Sequence, residues 1–194
     1  EELFRARLSE IALVTEWKPK LEAEGLIYVS PGSFQMGSPG NEVNREKDEI
    51  LHEVALSRGF WMGEHEVTQA EWETVMGVNP SDYNGSDRGN HPVEQVSYGR
   101  AKAYCRELTQ KARKEGTLPP GMLFRLPTEA EWEYVCRAGT STATAFGNVM
   151  SSRQANFDGD YPVGNGSPGP FQQKTTKVGK YEPNSWGFHD MHGN

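Results

Sequence analysis

Arg125-Leu126-Pro127-Thr128-Glu129-Ala130-Glu131-Trp132-Glu133-Tyr134 contains a helix start that elementary chemistry can read. Thr128 and Glu131 have the spacing of a capping box. The threonine hydroxyl accepts from the backbone N–H of Glu131, and the glutamate carboxylate reaches back to the N–H of Thr128. Pro127 stands just before the cap, and Trp132, Val135 and Cys136 supply a buried face. Upstream, Thr68-Gln69-Ala70-Glu71 repeats the device and predicts a helix through Trp72, Val75 and Met76, ended by Gly77. Between the two boxes Ser97 can cap a third helix. Its stripe of Ala101, Tyr104, Cys105, Leu108 and Ala112 follows the 3.6-residue period, with Gly116 as its stop.

Outward from these helices the pattern changes. Leu26 to Val29 predicts a strand, Pro31-Gly32 a turn, and Ser33 to Ser38 its hairpin partner. The segment from Pro39 to Glu49 is polar and reads as a surface loop, and His52 to Met62 suits one or two further strands. Residues 1–24 read as an amphipathic helix or linker, with Phe4, Leu8 and Ile11 at roughly helical spacing and Pro19 interrupting or ending it. Val78 to Pro92 reads as a loop. After Gly139 no helix is predicted, and the long run of Gly, Asn, Pro and aromatics calls for functional or ion-braced loops. The expected architecture is a mixed α+β domain, loop-rich, with small sheets and about three core helices.

The 194 residues fit one domain, and five Trp with 10% aromatics argue against disorder. A net charge of −7 argues against general binding to nucleic acid or to an anionic membrane. No apolar run is long enough for a membrane span. Two cysteines are too few for a disulfide scaffold. No signal-peptide pattern is present and the chain starts at Glu1, so the compartment stays open.

Six segments, in order, resemble one family. They are Tyr28 to Ser38, Glu64 to Gln69, Met76 to Ser81, Pro92 to Tyr98, Arg125 to Tyr134, and Pro183-Asn184-Ser185-Trp186-Gly187-Phe188-His189-Asp190-Met191-His192-Gly193-Asn194. Together they resemble the formylglycine-generating-enzyme, or sulfatase-modifying-factor, family in a bacterial style. Tyr98 stands where that family usually has Trp. The resemblance covers residues 25–194 and leaves 1–24 outside. It implies the family's variant of the C-type-lectin fold.

What the resemblance implies about chemistry divides. The best-known members oxidise a client sulfatase cysteine to formylglycine with oxygen and a copper(I) ion on two thiolates, a soft-ligand site. Those thiolates lie beyond the position matched by Gly193-Asn194, so no catalytic residue is expected within the chain. The domain is then expected to lack its C-terminal part. Cys105 and Cys136 match positions that form disulfides to that region in some relatives. From the residues themselves they read as buried, reduced thiols, with a bridge or a copper pair as alternatives. Calcium is implied at two loop sites. Asn156 with the carbonyls of Phe157 and Phe171 matches one, where Gly169 replaces an expected carboxylate and Asp158 and Asp160 are candidate substitutes. Asp190 and the Gly193 carbonyl match the second. Asx-turns without metal are the alternative for these residues. The five histidines show no metal-ligand spacing and are expected to be structural.

Three functions follow as expectations. The first is a non-catalytic binding or accessory module with a protein or peptide partner. The second is a copper-dependent oxidase whose cysteines lie downstream. The third is a ligand-binding variable protein of a diversity-generating retroelement. A second chain completing the fold is a further expected partner.

Overall fold

The computed structural model describes residues 16–42 and 45–194. Helix α1 covers residues 16–23, and its Leu21 is buried. Pro19 lies inside this helix rather than ending it, because its fixed φ is itself helical. Residues 1–15 of the predicted helix lie outside the described residues.

Four strands follow: β1 Leu26–Val29, β2 Gly32–Met36, β3 His52–Leu56 and β4 Phe60–Gly63. The predicted hairpin between the first two is not formed. β1 pairs antiparallel with β4, Val29 opposite Phe60, and β2 with β3, Phe34 opposite Val54. Ser30-Pro31 carries the chain from one two-stranded ribbon to the other, and Pro31 has no N–H to lend to a ladder. His52 to Met62 yields two strands, as its composition suggested.

The helices form where their caps place them: α2 Gln69–Met76, α3 Tyr98–Glu115 and α4 Glu129–Arg137. Both capping boxes close, and Gly77 and Gly116 end their helices at positive φ. Arg88–Asn90 adds one 3-10 turn within the loop predicted from Val78 to Pro92. In α4 the buried face is Val135 and Cys136. Trp132, one turn nearer the helix start on the same stripe, is 44% exposed. Thr128→Ala should destabilise the domain by about 1 kcal/mol, because the Glu131 N–H loses its side-chain acceptor. Thr128→Ser should retain most of that, read as the denaturant midpoint.

Two packing centres result. Trp72 of α2 stacks on Tyr104 of α3, with ring centroids 4.9 Å apart and planes 4° apart. The other centre joins Val29 of β1, Val135 of α4 and Phe188 of the last loop, each at most 2% exposed. Around it pack Ile27, Phe60, Met62 and Trp186. Residues 140–194 contain no helix or strand, only isolated bridges such as Met150 with Val163. This loop run nonetheless supplies core. Asn184 donates to the Val135 carbonyl at 2.8 Å, and its Oδ1 accepts from the N–H groups of Trp186 at 3.0 Å and Phe188 at 3.2 Å. A third tie runs from α4 to the end of β2. Glu133 and Arg137, paired at 2.8 Å, grip the Gly37 N–H and carbonyl at 2.8 and 2.6 Å. Among the described residues no helix is long and apolar enough to cross a membrane.

Candidate functional site

Of the five loop residues singled out from sequence, three share one cavity, Gly193 is bonded to its wall, and Asp190 is joined to Gly193 by a turn. Asn156, Phe157 and Phe171 line an open cavity of about 640 Å³ with Gln173, Lys174 and Asn194. The Asn156 N–H donates to the Gly193 carbonyl at 3.1 Å, and the Gly193 N–H donates to the Asp190 carbonyl at 3.1 Å. The two groups thus join through Gly193.

Side chains fix this wall. The Asn194 amide exchanges hydrogen bonds with Thr176, accepting from its N–H at 2.7 Å and donating to its carbonyl at 3.2 Å. Asn156 donates to the Lys174 carbonyl at 2.8 Å. Asp190 Oδ2 accepts from the Gly179 N–H at 2.7 Å. Asp190 itself sits at φ 56°, a left-handed conformation that Asp tolerates better than most residues. Asn194 and Thr176 were not singled out from sequence, because nothing in their spacing reports this pairing.

Glu66 is the other residue that sequence reasoning passed over. It lies between β4 and α2, and its carboxyl is within hydrogen-bonding reach of Asp190. Asp190 Oδ1 and Glu66 Oε2 are both buried acceptors without a donor. Two facing acceptors require a shared proton or a cation between them. Burial first, and then the Asp190 charge, pushes the Glu66 carboxyl up to about 7. The Glu64 carbonyl beside it accepts from the His189 N–H at 2.8 Å, so the pair joins the chain's early and late segments.

The donor sets decide which position suits a hard cation. The cavity at Asn156, Phe157 and Phe171 is lined by no carboxylate and carries Lys174. Asp158 and Asp160 are outside it, with Asp158 Oδ1 accepting from the Asp160 N–H at 3.1 Å in an Asx-turn. That set lacks the negative charge a calcium site uses and does not fit. Asp190 with Glu66 offers two carboxylates with unpartnered oxygens, the donor chemistry a hard cation uses.

The thiols are placed differently. Cys105 on α3 and Cys136 on α4 are both free. Cys136 is buried and donates to the Met191 carbonyl at 3.6 Å, with the His192 ring nitrogens 3.8 and 3.9 Å away. Burial pushes its thiol up to about 11 and also raises that of Cys105. His192 Nε2 accepts from the Ala145 N–H at 3.0 Å, and burial lowers its basicity, so the ring is neutral. This is a staple between α4 and the last loop. Two protonated thiols on separate helices do not fit a copper(I) dithiolate. Among the described residues no three His, Cys, Asp or Glu side chains converge on one point. The other histidines are likewise held locally. His91, for example, is buried, stacks on Tyr83 at 4.1 Å and meets Thr175 Oγ1 at 3.0 Å.

Comparisons agree with this architecture. The formylglycine-generating enzyme of Mus musculus is 32% identical over 182 residues, covering 86% of this chain and 45% of that protein. The chain thus spans about half the length of that relative. Among solved structures, PvdO from Pseudomonas aeruginosa superposes with a TM-score of 0.67 at 30% identity, covering 87% of this chain and 67% of that one. Treponema denticola variable protein 1 gives 0.61 at 27% identity, over 84% and 68%. The loop-rich arrangement of small sheets and helices is the C-type-lectin-like fold these structures share. The model of the sulfatase-modifying factor enzyme 1-like domain matches residues 12–194, taking in part of the segment expected to lie outside, and the chain belongs to that family.

Proposed function

We propose that this domain acts as a binding or accessory module for a protein or peptide partner, without oxidative chemistry carried by its own cysteines. The state of the thiols supports this most directly. Cys136 is buried, protonated and spent on the Met191 carbonyl, and Cys105 stands on another helix. The 194-residue chain, supplied with copper(I) and oxygen, should give no conversion of a sulfatase-derived peptide cysteine to formylglycine. Oxygen-dependent turnover, seen by mass spectrometry, would overturn the proposal.

Similarity to the mouse enzyme favours a second reading, a copper-dependent oxidase that uses thiolates from outside residues 1–194. Similarity to the Treponema denticola variable protein favours a third, a variable ligand-binding protein. In each reading we place calcium at Asp190, Glu66 and the Gly193 carbonyl, as a brace for the last loop rather than a reactant. Calcium should raise the melting temperature at pH 8 for the wild type but not for Asp190→Ala. Equal shifts in both would exclude this position.

A further inference from the structure

Helix α3 carries Arg100, Lys102, Arg106, Lys111, Arg113 and Lys114 against only Glu107 and Glu115, in a chain of net charge −7. Lys102, Arg106 and Arg113 fall on one face at helical spacing. They border a groove of about 510 Å³ between α3 and the extended segment 123–126. No Asp or Glu is among its lining residues.

The groove is held open by specific bonds. The buried Thr109 hydroxyl accepts from the Phe124 N–H at 2.9 Å and donates to the Cys105 carbonyl at 2.7 Å, tying the extended segment to the helix. Arg125 is fixed by a two-pronged pair with Glu131 at 2.6 Å for each bond, so it forms a wall rather than a free cation. The other cations keep donors to spare. Arg113 gives one bond to the Met122 carbonyl at 3.2 Å, and Lys102 lies 5.5 Å from the Tyr98 ring. Arg106 leans on exposed Glu107 at 3.2 Å, a surface pair of little strength. Tyr98, 71% exposed, and Leu123, 56% exposed, add apolar surface to the lining.

We propose that this groove docks an acidic, extended peptide segment of a protein partner. Its carboxylates would meet Lys102, Arg106 and Arg113, and an apolar side chain would cover Tyr98 and Leu123. Charge complementarity carries the assignment, since three cations with unspent donors face solvent over a lining free of carboxylates. A nucleic acid strand is the poorer occupant. Tyr98 is the only exposed aromatic on the lining, and the chain's net charge repels a polyanion that extends beyond the groove. The proposal rests on the binding-module reading and names its partner's chemistry. Turnover of the sulfatase peptide would end that reading, whereas only the peptide-binding measurements bear on the groove.

The test is fluorescence anisotropy of the full chain with a labelled peptide of alternating Glu and Leu. Its Gln-for-Glu counterpart and a single-stranded oligodeoxynucleotide are the other two arms. Saturable binding of the acidic peptide is expected. It should weaken about tenfold or more in the double variant Lys102→Glu, Arg106→Glu and fall as salt rises. Both side chains are exposed, so the variant should keep the wild-type circular dichroism spectrum, which is checked alongside. The bound peptide should also protect Cys105, on the groove lining, from maleimide, with buried Cys136 as the internal reference. No saturable binding, equal binding by the variant, preference for the oligonucleotide, or an unprotected Cys105 would each overturn the proposal.

Discussion

Asn184→Ala should cost about 3–5 kcal/mol, enough to unfold much of the population of a marginally stable domain. One side chain here serves three backbone groups: the Val135 carbonyl at the end of α4 and the N–H groups of Trp186 and Phe188. Asn184 is 6% exposed and Phe188 1%, so water cannot readily replace what the amide supplies. Each buried group left without a partner costs roughly 1–3 kcal/mol. Asn184→Asp should fare little better, since it keeps the acceptor but loses the donor to Val135 and adds a buried charge. Chemical denaturation measures the loss. Amide exchange at Trp186 and Phe188 in the wild type should proceed only through global opening. A loss under about 1 kcal/mol would mean that the loop is not a working part of the core.

Glu66 should make stability depend on pH in an unusual direction for a carboxylate. Its ordinary value of 4.5 applies to the unfolded chain, and about 7 to the folded one. Between those values the folded protein holds a proton that the unfolded chain has released. The contribution is therefore fully present below about pH 4.5 and is lost as pH rises through 7. The span corresponds to about 3 kcal/mol at most. In calcium-free buffer the wild type should thus be less stable at pH 8 than the opposing behaviour of its other carboxylates would predict. Glu131, for instance, held near 2 chiefly by its bond from Arg125, adds stability as pH rises from 2 to 4.5 and is neutral in this comparison above that. Glu66→Gln should remove the loss between pH 5 and 8 by keeping a neutral side chain that can donate to Asp190. Parallel pH profiles for wild type and variant would show that the pair holds no shared proton.

These two residues also mark where sequence reasoning succeeds and where it stops. Helix starts were legible because a capping box is local: Thr68 with Glu71 and Thr128 with Glu131 need only three residues of context. Loop membership after Gly139 was legible from its composition for the same reason. Strand pairing was not. β1 meets β4 across more than thirty residues, and adjacency made β2 the more obvious partner. The site divides likewise. Asn156, Phe157, Phe171, Asp190 and Gly193 were named through motif resemblance; the fold sets the first three around one cavity and bonds Asn156 to Gly193. Glu66 was invisible, because an acidic residue beside a helix start looks solvated until the fold lays Asp190 over it. The exposure of Trp132 was not legible either, because helical spacing tells which face a residue shares and not how far along the helix the core reaches.

The dependence of the core on its last loop bears on how the chain is made. Val29, Val135 and Phe188 share one cluster, yet roughly 160 residues separate the first from the last. The helices can form from local contacts, but this centre cannot close until the ribosome has delivered Phe188. At roughly 5–20 residues per second, the nascent chain carries Val29 for roughly 10–30 seconds before its partner exists. Contacts so distant along the chain also slow the search itself. Vectorial synthesis therefore gives this centre no head start, whereas the Trp72–Tyr104 stack can close as soon as α3 has emerged.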